Sequence, residues 1–118
     1  MNYSENRKQV TWGKVYFIKC GQYFKIGMSK NVYTRFASIR VTNPCECELV
    51  HTIESENSYL TERLFKSMYG RVNIKGEWFD LTQKDIDYIK AGNYSDAIKR
   101  SLGERPPIII PDFLGIAK

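Results

Sequence analysis

A chain of 118 residues with 42% apolar content, 14% aromatic content and a net charge of +5 has the size of one domain and enough apolar material for its own core. It holds no apolar run of membrane-spanning length, and its polar opening residues lack the apolar stretch of a secretory leader, so a cytoplasmic protein without membrane contact is expected. Three cysteines, an odd number, exclude a complete disulfide framework.

The charge is unevenly spread. Residues 1–40 carry eight Lys or Arg against Glu5 alone, whereas residues 41–80 carry four basic and seven acidic side chains. A basic first third beside an acidic middle suggests a polyanion partner and a carboxylate able to hold a cation.

Residues 1–12 read as a flexible lead-in. Lys14–Cys20 has strand patterning, with Val15 and Phe17 alternating against Tyr16 and Ile18. Gly21-Gln22 suits a tight turn, and Tyr23–Met28 is the returning strand. Ser29 or Asn31 caps a helix over Val32–Arg40, whose buried face is Val32, Phe36 and Ile39. Asn43-Pro44 interrupts the chain before a third strand, Glu48–Ile53, with Leu49, His51 and Ile53 on one face. The long helix over Glu56–Tyr69 is capped by Ser55 or Asn57. Its apolar stripe is Leu60, Leu64 and Met68, with Glu62, Lys66 and Tyr69 on another face. Glu77–Leu81 reads as a short extended piece. Two helices follow, Gln83–Ala91 behind Thr82 and Tyr94–Leu102 behind Asn93 or Ser95. Residues 103–118 form a Pro- and Ile-rich tail. Its Ile108-Ile109-Ile110 run suggests packing along the domain, a protein partner or self-association.

Cys45 and Cys47 form a Cys-x-Cys pair, and Cys20 is distant in sequence. With His51 the only histidine, a zinc site is short of ligands, so the three are read as unconnected thiols of a reducing compartment.

One ordered set of polar residues suggests chemistry on a phosphodiester. Tyr16 on one hairpin arm offers a phenol, with Lys25 on the other arm placed to lower its pKa. Arg35 offers a forked grip on phosphate, and Glu62 offers a hard oxygen donor for a divalent cation. Taken singly, each reads as a sheet aromatic, a surface cation or a helix ion pair, the last between Glu62 and Lys66. Their order raises the functional reading above these.

Together, Val15-Tyr16, Lys25-Ile26-Gly27, Arg35, Glu62 and Gly76-Glu77-Trp78-Phe79 resemble the GIY-YIG endonuclease superfamily. They are most similar to its phage and bacterial branch, in which the second motif reads Lys-Ile-Gly and the core closes on Gly-Glu-Trp-Phe. The resemblance runs from about Gly13 to Leu81 and implies an α+β domain over 13–102. Its implied core is a small three-stranded antiparallel sheet flanked by helices, in the order β-β-α-β-α, followed by C-terminal helices.

The resemblance implies hydrolysis of DNA with one Mg²⁺ or Mn²⁺ on Glu62, in a bacterial or phage-infected cell. Tyr16, Lys25, Arg35 and Glu62 are then the catalytic set. Lys14, Lys30, Arg40 and Lys66 are the expected nucleic-acid contacts. Two positions depart from the pattern: Lys14 stands where the first motif has Gly, and Lys66 stands where the branch has His one turn after the Glu. An ordinary lysine does not shuttle protons near neutral pH. The alternative is therefore a binding module on the same fold with weak or no catalysis, and a protein-docking factor is a third reading.

Overall fold

The computed structural model describes residues 12–103. Among these, strands β1 (Gly13–Cys20) and β2 (Tyr23–Ser29) form the expected hairpin, with Gly21 at φ 64° in its turn. Helix α1 (Val32–Thr42), strand β3 (Cys47–Ser55) and helix α2 (Ser58–Met68) follow. A 3-10 turn at Gly70–Val72 leads into β4 (Asn73–Lys75) and β5 (Trp78–Phe79), and helices α3 (Gln83–Ala91) and α4 (Asp96–Leu102) close the domain. The class is α+β as expected. The sheet has five antiparallel strands in the order β3-β1-β2-β5-β4, not three. The expected extended piece near Trp78 is β5. Its partner β4 escaped notice because Asn73–Lys75 is three exposed residues without apolar alternation. The lead-in (1–11) and the tail (104–118), including Ile108–Ile110, lie outside the described residues.

The caps follow from local chemistry. The Asn31 side chain accepts from Thr34 N–H at 3.1 Å, and Ser29 Oγ accepts from Asn31 N–H at 3.0 Å, so both candidate cap residues are used in series. Ser55 and Asn57 repeat the arrangement ahead of α2, where Asn57 accepts from Leu60 N–H at 3.3 Å and Ser55 Oγ accepts from Asn57 N–H at 3.0 Å. Thr82 and Asp85 form a reciprocal capping box at α3. Ser95 caps α4.

β1 is an interior strand, flanked by β3 and β2, and Val15, Tyr16, Phe17 and Ile18 are all buried because both faces of the sheet are covered. On one face Val15, Phe17, Ile26 and Phe79 meet Phe65 of α2 and residues of α3 and α4. Phe65 packs edge-on against Phe17 and Tyr94, with ring centroids 5.3 and 5.4 Å apart. On the other face Tyr16, Ile18 and Cys20 pack with Val32 and Ile39 of α1, and Phe36 lies half-buried beside them.

Two expectations on side-chain direction are corrected. Between Phe17 and Ile18 the β1–β3 register slips, pairing Phe17 with His51 but Ile18 with Leu49. This bulge turns Leu49 to the α1 face while His51 and Ile53 stay with Phe17 and Val15, so the three do not share a face. The fully buried stripe of α2 is Ser58, Thr61, Glu62 and Phe65, while Leu60 and Leu64 of the expected stripe are half-buried, Leu64 against the core. Met68 is exposed. The stripe is polar because hydroxyls satisfy one another: Thr61 Oγ1 lies 2.8 Å from Ser55 Oγ and 2.5 Å from Ser101 Oγ. Backbone bonds from Glu56 N–H to Leu102 O and from Asn57 N–H to Ser101 O complete the tie between α4 and the start of α2.

The cysteine reading is also corrected. The register sets Cys20 directly opposite Cys47, and the two are joined as a disulfide between β1 and β3. Cys45 is free and exposed. Sequence distance hid a pairing that strand register creates.

Candidate active site

Tyr16 and Gly27 are opposite one another in the β1–β2 ladder, so the phenol lies over Gly27 on the face that α1 covers. A Cβ at Gly27 would strike the Tyr16 hydroxyl and ring. Glycine is required here by close approach rather than by an unusual backbone angle. Lys25 pairs with Ile18 on one side and Trp78 on the other, and all three therefore point to the Tyr16 face. The Lys25 ammonium stands 5.4 Å from the Trp78 ring centre.

α2 packs on the opposite face, yet its Glu62 and Lys66 connect through Glu77 to Lys25 on the Tyr16 face. β5 pairs with β2 only at Phe24 and Lys25, and Ile26 N–H donates to Glu77 O at 3.0 Å. At this margin the side chains form a continuous chain of ion pairs. Lys25 Nζ lies 2.8 Å from Glu77 Oε1, Lys66 Nζ lies 3.1 Å from Glu77 Oε2, and Lys66 Nζ lies 3.0 Å from Glu62 Oε2. Glu62 is buried and Lys66 and Glu77 are half-buried, so these pairs are less screened than surface ones.

The protonation states follow from this setting. Burial pushes the Tyr16 phenol up to about 12. The charge of Arg35 pulls downward, and those of Glu77 and Glu62 push upward. Tyr16 is thus a neutral hydrogen-bonding group at neutral pH. The cation acting on it is Arg35 from α1 rather than Lys25, whose charge Glu77 engages. Burial alone would raise Glu77, but hydrogen bonds from Lys25 and Lys66 and their charges hold it below the ordinary carboxylate value. Burial likewise opposes the charged form of Lys66, and hydrogen bonds and charges from Glu62 and Glu77 outweigh it, leaving Lys66 firmly protonated.

The charges of Arg35, Glu77 and Glu62 thus each bear on the Tyr16 phenol, and Lys25 is tied to Glu62 through Glu77 and Lys66. Glu77 is the site residue that the sequence reading left without a role. Its signal was its place beside Trp78, in a strand that pairs with the strand of Lys25. Of the expected nucleic-acid contacts, Lys30 and Arg40 are exposed, and Arg40 stacks on Phe36 at 5.5 Å. Lys14 lies 3.9 Å from Glu54, and Lys66 is engaged by the two carboxylates. His51 stands apart on the other face, beside Phe17, its pKa lowered by burial and by Lys90.

Among the described residues no group of three or more His, Cys, Asp or Glu side chains gathers as a metal cluster. A divalent cation here would depend on Glu62, with Glu77 one lysine away. Hard carboxylate oxygens such as these, one buried and one half-buried, suit Mg²⁺ or Mn²⁺ with water completing the shell. No helix among the described residues is long and apolar enough to cross a membrane.

A small α+β domain with this charged margin fits a nuclease-like or DNA-binding protein. Residues 13–92 match the model of the T5orf172 domain, and the chain belongs to that family, which is related to the GIY-YIG and HNH-like nucleases. No curated protein and no solved structure matches the chain.

Proposed function

We propose that this domain is a metal-dependent endonuclease that hydrolyses DNA phosphodiester bonds by GIY-YIG-type chemistry. What supports the reading is that the charges of Arg35 on α1 and Glu62 on α2 both bear on the phenol of Tyr16 on β1, within a chain whose residues 13–92 match the T5orf172 family. Glu62 would hold Mg²⁺ or Mn²⁺, with Glu77 across Lys66 from it, and the ion would supply Lewis-acid stabilisation of the phosphoryl oxygens. Arg35 offers two parallel donors to a non-bridging oxygen pair. Tyr16, neutral and fixed over Gly27, orients the attacking water through its hydroxyl. Lys25, stacked on Trp78, adds positive charge where the pentacoordinate phosphorus builds up negative charge. Lys30 and Arg40, with Lys14, grip the flanking backbone of DNA.

One observation favours a second reading, a DNA-binding module that does not cut. Lys66 stands where the branch has His, and it occupies both carboxylates. A plasmid-nicking assay with Mg²⁺ or Mn²⁺ separates the two. The endonuclease reading expects nicked and then linear product. Binding with a steep salt dependence and no product over long incubation would replace it with the module.

A further inference from the structure

The ion-pair chain carries as much negative as positive charge. Lys25 and Lys66 balance Glu77 and Glu62, and Lys66 alone touches both carboxylates, at 3.1 and 3.0 Å. A single ammonium thus sits between the two oxygen donors best suited to a hard cation. Adding a divalent ion to Glu62 with Lys66 in place would set three positive charges around that carboxylate. Displacing Lys66 removes that repulsion and frees oxygens on both Glu62 and Glu77.

From this geometry we infer that Lys66 is a built-in competitor of the catalytic cation: its ammonium occupies the place between Glu62 and Glu77 that the divalent ion takes, and the ion binds only as Lys66 swings out. The inference rests on the proposed role of Glu62 as metal ligand and adds to it a second ligand, Glu77, and a resting state held closed by the protein itself. The flexible four-carbon stem of Lys66, a quarter exposed, permits the movement. Once displaced, the ammonium becomes available to a DNA phosphate at the same margin. Lys66 is a positioning residue in this account, acting through the two carboxylates.

The test is equilibrium Mn²⁺ binding to the full chain without DNA, read by the loss of the free-ion paramagnetic resonance signal. Lys66→Met is expected to bind Mn²⁺ about tenfold more tightly than wild type, Lys66→Arg to stay near wild type, and Glu77→Gln to bind more weakly. Unchanged or weaker binding by Lys66→Met, with Glu62→Gln abolishing binding, overturns the competitor and leaves the metal ligand standing. Mn²⁺ binding by Glu62→Gln as tight as wild type overturns the metal-site reading itself. Because Lys66→Met leaves a buried carboxylate unpaired and can compromise folding, a second measurement uses the wild-type protein. Saturating Mg²⁺ should shift the side-chain ammonium resonance of Lys66, and a resonance that does not move overturns the inference.

Discussion

Tyr16 lies so closely over Gly27 that the glycine's missing side chain is what leaves room for the phenol. The second motif of the sequence therefore serves the first: one places the ring, the other leaves the space. Gly27→Ala should displace the phenol and destabilise the domain by about 1–3 kcal/mol, the usual cost of overpacking. Urea unfolding measures the stability, and unchanged stability with an undisplaced ring would show that the strands part without cost. Tyr16→Phe keeps the ring and removes the hydroxyl. It should leave stability nearly intact and slow DNA cleavage by roughly 10²-fold, the scale expected when a reacting group loses its positioning.

The charged margin should give a pH signature. Glu77 is held below its ordinary value, so the stability it contributes is present above the unfolded carboxylate value and is lost as pH falls through its folded value. The difference in urea midpoint between wild type and Glu77→Gln should be largest near neutrality and should shrink in acid. An undiminished difference at pH 3 would assign the effect to packing. His51 works on the same side: its folded value lies below its unfolded one, so acid destabilises the native state as pH falls from about 6.5. His51→Gln should flatten stability between pH 7 and 5.

The disulfide Cys20–Cys47 closes a loop across a sequence separation of 27, and the chain-entropy account gives it about 3.5 kcal/mol. Reduction, or Cys20→Ala with Cys47→Ala, should lower the thermal midpoint, and Cys45→Ser should not. Non-reducing peptide mapping that finds Cys45 linked instead would contradict the register.

Thr61→Val removes the hydroxyl shared by Ser55 and Ser101 at nearly constant shape. Buried partners left unsatisfied should cost about 1–3 kcal/mol. Hydrogen exchange should show α4 loosening first. Uniform loss of protection would show instead that the hydroxyls do not specifically tie α4 to α2.

Much of the fold could be read along the chain. Alternation marked the hairpin, Asn31, Asn57, Thr82 and Ser95 marked the helix starts, and Gly92 at φ 83° marks the end of α3. What escaped depends on contacts between distant residues. The β3 bulge, the Cys20–Cys47 pairing and the strand β4 are properties of register, which the local pattern does not carry. The buried stripe of α2 was missed because Thr61 and Glu62 look like surface residues until Ser55, Ser101 and Lys66 satisfy them. The four proposed catalytic residues were each legible as types in an order. Glu77 was not, since its role is defined by two lysines, one 52 positions before it and one 11 positions before it in the chain.

The most direct measurement is cleavage of supercoiled DNA by wild type and by Glu62→Ala at saturating Mg²⁺, with affinity for the same DNA measured in parallel. The account predicts that wild type nicks and linearises the plasmid, whereas Glu62→Ala stays folded, binds DNA with similar affinity and yields no product. Cleavage by Glu62→Ala at the wild-type rate, or a wild-type protein that binds DNA and never cuts it, would contradict it.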